Sequence, residues 1–160
     1  MITIDKEFIV ERAKTCACSG HRQLNKNFDG KKLKQVFLQL IEDGYKYFLI
    51  GMAIGFDTLC FHILEEIRKQ KDIQIIGCIP CKEQSAKFSM EDKIEYDRMI
   101  SNCDNKVVLS ESYTSNCMFK RNKFMVDNSS ILVAYLKREY GGTYNTVNYA
   151  KRQNLKIIYI

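Results

Sequence analysis

Short apolar runs alternate along this chain with stretches in which apolar residues recur every three or four positions. Lys14-Thr-Cys-Ala-Cys-Ser19 is a short apolar run closing on Gly20, and from about Lys31 a three-four pattern of Leu33, Val36, Phe37, Leu40 and Ile41 runs to Gly44. The first reads as a strand and the second as an amphipathic helix. Tyr47-Phe-Leu-Ile50 is the second strand, followed from Gly55 by a helix with Phe56, Leu59, Cys60, Ile63, Leu64 and Ile67 on one face. A third strand spans Ile73 to Ile79 and stops at Pro80; a polar link with Gln84, Lys87 and Phe88 leads to a helix over about Glu91 to Asn102. Lys106-Val-Val-Leu109 is the fourth strand and Cys117 to Asn128 its helix. Ile131 to Tyr135 and a helix over Thr143 to Gln153 form the fifth unit, and Lys156 to Ile160 the last strand.

Six short apolar strands separated by helical patterns imply crossover connections, hence a mostly parallel sheet with helices on both faces. The expected class is α/β, a Rossmann-like three-layer sandwich. With 160 residues and no linker, repeat or low-complexity tract, one domain over 1–160 is expected, with 1–13 as a lead-in or small edge strand. No apolar run approaches the twenty or so residues of a membrane span, and Asp5, Lys6 and Glu7 break any secretory pattern, so a cytoplasmic protein is expected.

In such a sheet ligands collect beyond the carboxyl ends of the strands, near the point where strand order reverses. Three strand ends there are marked by glycine. After the first strand, Ser19-Gly20-His21-Arg22 offers donors for phosphate oxygens, and His21 can donate, accept or transfer a proton near neutral pH. After the second come Gly51, Met52 and Gly55, with Asp57 in the first helical turn, where it either complements the helix dipole or binds a ribose hydroxyl. This junction lacks the Gly-Lys-Ser or Gly-Lys-Thr of a phosphate loop. After the fifth, Gly141-Gly142-Thr143 lets the backbone approach a ligand and aims a helix N-terminus at an anion; as a plain turn with a Thr cap it needs none.

The helix over 117–128 adds a polar residue in an apolar context. Asn122 falls between Met118 and Met125 on the apolar face, where its amide needs partners, while Arg121 flanks that face within reach of an anion and Lys120 and Lys123 face solvent. His62 shares the polar face of its helix with Glu65, Glu66 and Lys69. The seven cysteines sit mostly inside apolar segments and read as buried thiols; Cys78-Ile-Pro-Cys81 has redox-like spacing but no second pair or nearby histidine to complete a metal set. The charge of +6 is dispersed, permitting an anionic ligand or nucleic acid without demanding either.

Thr15-Cys-Ala-Cys-Ser-Gly-His-Arg22, Gly51-Met-Ala-Ile-Gly-Phe-Asp57, Ile79-Pro-Cys81, Cys117 to Asn128 and Gly141-Gly-Thr-Tyr-Asn-Thr146 together resemble the ordered motifs of the YpsA-like branch of the SLOG superfamily. That resemblance implies a Rossmann-like fold and a nucleotide-type ligand at the loops after the first, second and fifth strands, with no further cofactor. It also implies relatives such as DprA and the "Lonely Guy" phosphoribohydrolases, and a tendency to form homo-oligomers. The phosphoribohydrolase pattern Gly-Gly-x-Gly-Thr-x-x-Glu places Asn148 where the glutamate stands, and Cys60-Phe61-His62 stands where many YpsA-like chains carry Ala-Ala-Glu. An amide cannot serve as a base, so the expectation is binding rather than catalysis, with Asp57 and His21 the groups available if the chain is an enzyme. Single-stranded DNA binding is the third reading; Lys120, Arg121, Lys123, Lys137 and Arg138 lack an aromatic interleave for it.

Overall fold

The computed structural model describes residues 3–4, 8 and 10–160; the rest of the expected lead-in lies outside the described residues. Strands β1 (Thr3–Ile4), β2 (Thr15–Gly20), β3 (Tyr47–Ile50), β4 (Gln74–Ile79), β5 (Asn105–Val108), β6 (Ile131–Tyr135) and β7 (Lys156–Tyr159) form one sheet in the order β1-β5-β4-β3-β2-β6-β7. All six from β2 to β7 run parallel, and the short β1 lies antiparallel on β5, so part of the lead-in is an edge strand. The helices are α1 (Gly30–Glu42), α2 (Phe56–Arg68), α3 (Met90–Asn102), α4 (Cys117–Asp127) and α5 (Gly142–Arg152). Each expected strand and helix is present, within two residues at either end.

Alternation along the strands divides the core into two layers. Cys16, Cys18, Phe48, Ile50, Ile75, Ile131 and Val133 point toward α1, α2 and α3, where they meet Leu33, Phe37, Phe61, Leu64 and Met99. The intervening Ala17, Leu49, Ile76, Leu132 and Ala134 point the other way, onto Met125 and Val126 of α4 and Val147 and Ala150 of α5. Burial on both faces explains why the strands read as near-continuous apolar runs.

The cysteines belong to this packing. All seven are free, and six are buried. Burial pushes the Cys78 thiol up to about 12 and raises Cys81 as well, the reverse of what a reactive CxxC pair requires. His62 is exposed, its Nε2 2.7 Å from Glu95 Oε1.

Strand order reverses between β2 and β6. From β2 the chain proceeds outward through β3, β4 and β5, and β6 then returns to the other side of β2. The register Cys16↔Ile131 to Gly20↔Tyr135 brings the loops after β2 and β6 side by side at the carboxyl edge.

Candidate functional site

A cleft of about 490 Å³ opens at this reversal point. The end of β2 supplies Ser19 and Gly20 and the loop after it His21 and Arg22; the β3–α2 junction supplies Gly51, Ala53 and Asp57. Across from them stand Arg121 and Asn122 of α4, Arg138 of the loop after β6, and Gly142 and Thr143 at the start of α5. Ten of the thirteen expected binding residues therefore line one space, although they come from four separate stretches of chain.

The three others act from behind it. Met52, in the left-handed region at φ 62°, turns its side chain into the core, where it is 1% exposed. Gly55 has φ 83°, and a Cβ there would lie 2.1 Å from the Arg22 carbonyl oxygen. Gly141, at φ 93°, precedes α5 and turns the chain into it.

The floor of the cleft is a buried polar network. Arg121 is 6% exposed, and its Nη1 donates to Gly51 O and, at 3.4 Å, to Cys78 O. Gly51 O also accepts from Gln84 Nε2 at 2.8 Å, and Gln84 Oε1 accepts from Tyr96 Oη at 3.0 Å. Gly51 has no room for a side chain, since a Cβ would stand 2.6 Å from Arg121 Nη1 and 3.0 Å from Asp57 Oδ2.

Asp57 is 5% exposed and accepts from the Ala53 amide at 3.1 Å. Burial raises its pKa to about 6 against the opposing pull of Arg121. Burial in turn lowers the pKa of Arg121, with Asp57 opposing that shift.

Helical periodicity misplaces two neighbours here. Arg121, expected at the flank, is the buried residue, while Asn122 is half-buried with its Oδ1 accepting from Arg121 Nε at 2.7 Å. His21 ties two loops together: it is 7% exposed, and Nε2 accepts from the Lys137 amide at 2.9 Å, joining the loops after β2 and β6. Burial, then the nearby Arg138 and Lys137, lower its pKa and favour this neutral acceptor form.

At the entrance to α5 the backbone is open. The helix has Gly141 as N-cap and no side-chain cap, and Thr143 is buried at its first turn. Nothing lies within 4 Å of a Cβ placed on Gly142. Unpaired N–H groups and the positive helix end therefore border the cleft, with Arg22 and Arg138 at its rim. Arg138 enters the sequence reading only among the basic residues weighed for DNA, not among the expected nucleotide-site residues; its signal is the charged bend 137–139 immediately before the glycines. Among the described residues, no group of three or more His, Cys, Asp or Glu could hold a metal ion, and no helix is long and apolar enough to cross a membrane.

The YpsA model, described as the YspA SLOG family, matches residues 25–160. The chain belongs to the YpsA-like SLOG family. It is 34% identical over 140 residues to YoqJ of Bacillus subtilis strain 168, described as an uncharacterized SPbeta prophage-derived protein, covering 78% of this chain and 81% of that one. Its fold is similar to DNA processing protein A (DprA) of Streptococcus pneumoniae, with a TM-score of 0.70 at 17% identity over 92% of this chain. It is also similar to the Helicobacter pylori DprA whose structure concerns single-stranded DNA binding, with a TM-score of 0.66 at 14% identity over 91% of this chain. The chain spans 50% and 64% of those two proteins. A third structure, TM1055, has a TM-score of 0.53 at 15% identity, covering 90% of this chain and 72% of that one. At this level of identity the likenesses show the fold, a Rossmann-like α/β sheet.

Proposed function

We propose that this SLOG protein binds a nucleotide or nucleotide-derived molecule in the cleft between β2 and β6, and that it works as a sensor or regulator. The observation that carries the reading is the uncapped start of α5, which opens into a cleft rimmed by Arg22 and Arg138 at the reversal of strand order. Helix N–H groups and arginine forks are the usual partners of phosphate, and the reversal point is where open α/β sheets hold such ligands. No nucleotide-independent cofactor enters this reading. The seven free thiols suit a reducing, cytoplasmic setting.

Calorimetry with AMP, ATP, NAD and ADP-ribose is the test. At least one should bind more tightly than roughly millimolar, and the Arg22→Ala, Arg138→Ala double variant should bind it more weakly. Absence of binding by all four would defeat the proposal. Single-stranded DNA forms a further arm, because likeness to the two DprA structures is at the level of fold; salt-sensitive retardation in a gel would favour DNA over a free nucleotide.

A second reading is hydrolysis of a nucleoside monophosphate with Asp57 as the acid or base. The favouring observation is a carboxyl held near 6 in the wall of the cleft, close to the range in which proton transfer is efficient. Free base released by the wild type and abolished in Asp57→Asn would support it; equal release by both would remove Asp57 from that role.

A further inference from the structure

Beside the cleft lies a smaller pocket of about 210 Å³, walled by Phe119 of α4 and by Asn145, Thr146 and Tyr149 of α5. Met118, Asn122 and Gly142 line both spaces, so one ligand can extend from the first into the second. We propose that this pocket receives the nucleobase of the molecule whose phosphate occupies the cleft, an assignment that rests on the nucleotide reading above.

The two aromatic residues differ in what they offer. Tyr149 is already engaged: its hydroxyl donates to Asp127 Oδ1 at 2.6 Å, and Lys123 and Arg152 lie 5.4 and 5.6 Å from its ring centroid. It serves as a fixed wall. Phe119 is 53% exposed, an apolar ring at the mouth of the pocket with a face available to a flat heterocycle. Stacking on such a ring suits any base.

Selectivity comes from the amides. A guanidinium only donates, so the 2.7 Å contact from Arg121 Nε fixes which end of Asn122 is its oxygen. Asn122 then offers its NH2 as a donor that any base can meet, since every nucleobase presents a ring nitrogen or carbonyl that accepts, so discrimination between bases falls to Asn145. Asn145, exposed on the facing helix, supplies a second amide able to donate or accept. Arg121 is thus a positioning residue for the base as well as a member of the cleft floor.

Calorimetry on the full chain distinguishes the parts, using AMP, GMP, CMP and UMP against ribose 5-phosphate, which keeps sugar and phosphate but has no base. One monophosphate should bind about tenfold or more tightly than ribose 5-phosphate, and Phe119→Ala should weaken that monophosphate about tenfold while leaving ribose 5-phosphate unchanged. Asn145→Ala should change the ranking among the four bases. Monophosphates no tighter than ribose 5-phosphate, or an equal loss for both probes in Phe119→Ala, would overturn the base pocket and leave the phosphate cleft standing. An unaltered monophosphate affinity in Phe119→Ala would do the same. Failure of every one of these probes with the wild type would overturn the base pocket, and failure of ATP, NAD and ADP-ribose as well would overturn the nucleotide reading.

Discussion

The β3–α2 and β6–α5 junctions carry the same signal, glycines between a strand and a helix at the carboxyl edge of the sheet, yet the fold uses them in opposite ways. At the first, the missing side chains are filled by the protein itself. Arg121 and Asp57 close over Gly51, the Arg22 backbone presses on Gly55, and Phe56 N donates to His21 O at 3.1 Å. At the second, Gly142 faces open space and the helix start has no side-chain cap. One junction is a joint in the scaffold; the other is an open cradle. Glycine in a strand-to-helix turn therefore marks close approach, and only the three-dimensional neighbours reveal whether the approaching group is the protein's own.

Substitutions can break this contrast. The largest loss is expected at Gly55→Ala, where backbone cannot retreat and φ is positive; urea unfolding should show a destabilisation on the order of 3 kcal/mol or more. Arg121→Met comes next, at about 3 kcal/mol, because it leaves Asp57 buried without its neighbouring cation and takes a donor from Gly51 O. A loss below about 1 kcal/mol would mean that the floor of the cleft is not held by this arginine.

Asp57 adds a dependence on pH. The folded chain holds its proton more tightly than the unfolded chain, since the pKa rises from 3.8 to about 6. The stability tied to this group is complete below about pH 4 and is lost as pH rises through 6. Asp57→Asn should flatten that slope and gain about 2 kcal/mol relative to the wild type between pH 4 and pH 7. Identical pH profiles for the two proteins would contradict it. The smallest change in stability belongs to Gly142→Ala, within about 0.5 kcal/mol, because the added methyl meets nothing. It should nevertheless weaken AMP, separating a glycine that serves binding from those that serve folding.

Much of the scaffold is legible in the sequence because its strands and helices are simple in period. Three-four spacing locates α1 and α2, and unbroken apolar runs locate the parallel strands. The convergence of Ser19, Gly51 and Gly142 follows from the topology of parallel sheets.

Arg121 is harder to read. A helical wheel sorts residues by polarity, and it places Asn122 on the apolar face; the reason to bury a guanidinium lies 70 residues away, at the Gly51 carbonyl. Gln84 likewise reads as part of a polar link, although it is 8% exposed and spans from Tyr96 to Gly51. Periodicity along one element carries no information about a partner on another.

The pairing of β2 with β6 has a consequence for how the molecule comes into being. Strands β2 to β5 can assemble in the order in which they are synthesised, but the other edge of β2 must wait for residues 131–135. Closing so long a loop is slow, and until it closes the central strand presents an unpaired apolar edge to other chains. The cleft lies along that seam. During biosynthesis its walls meet only after β6 and α5 have been made.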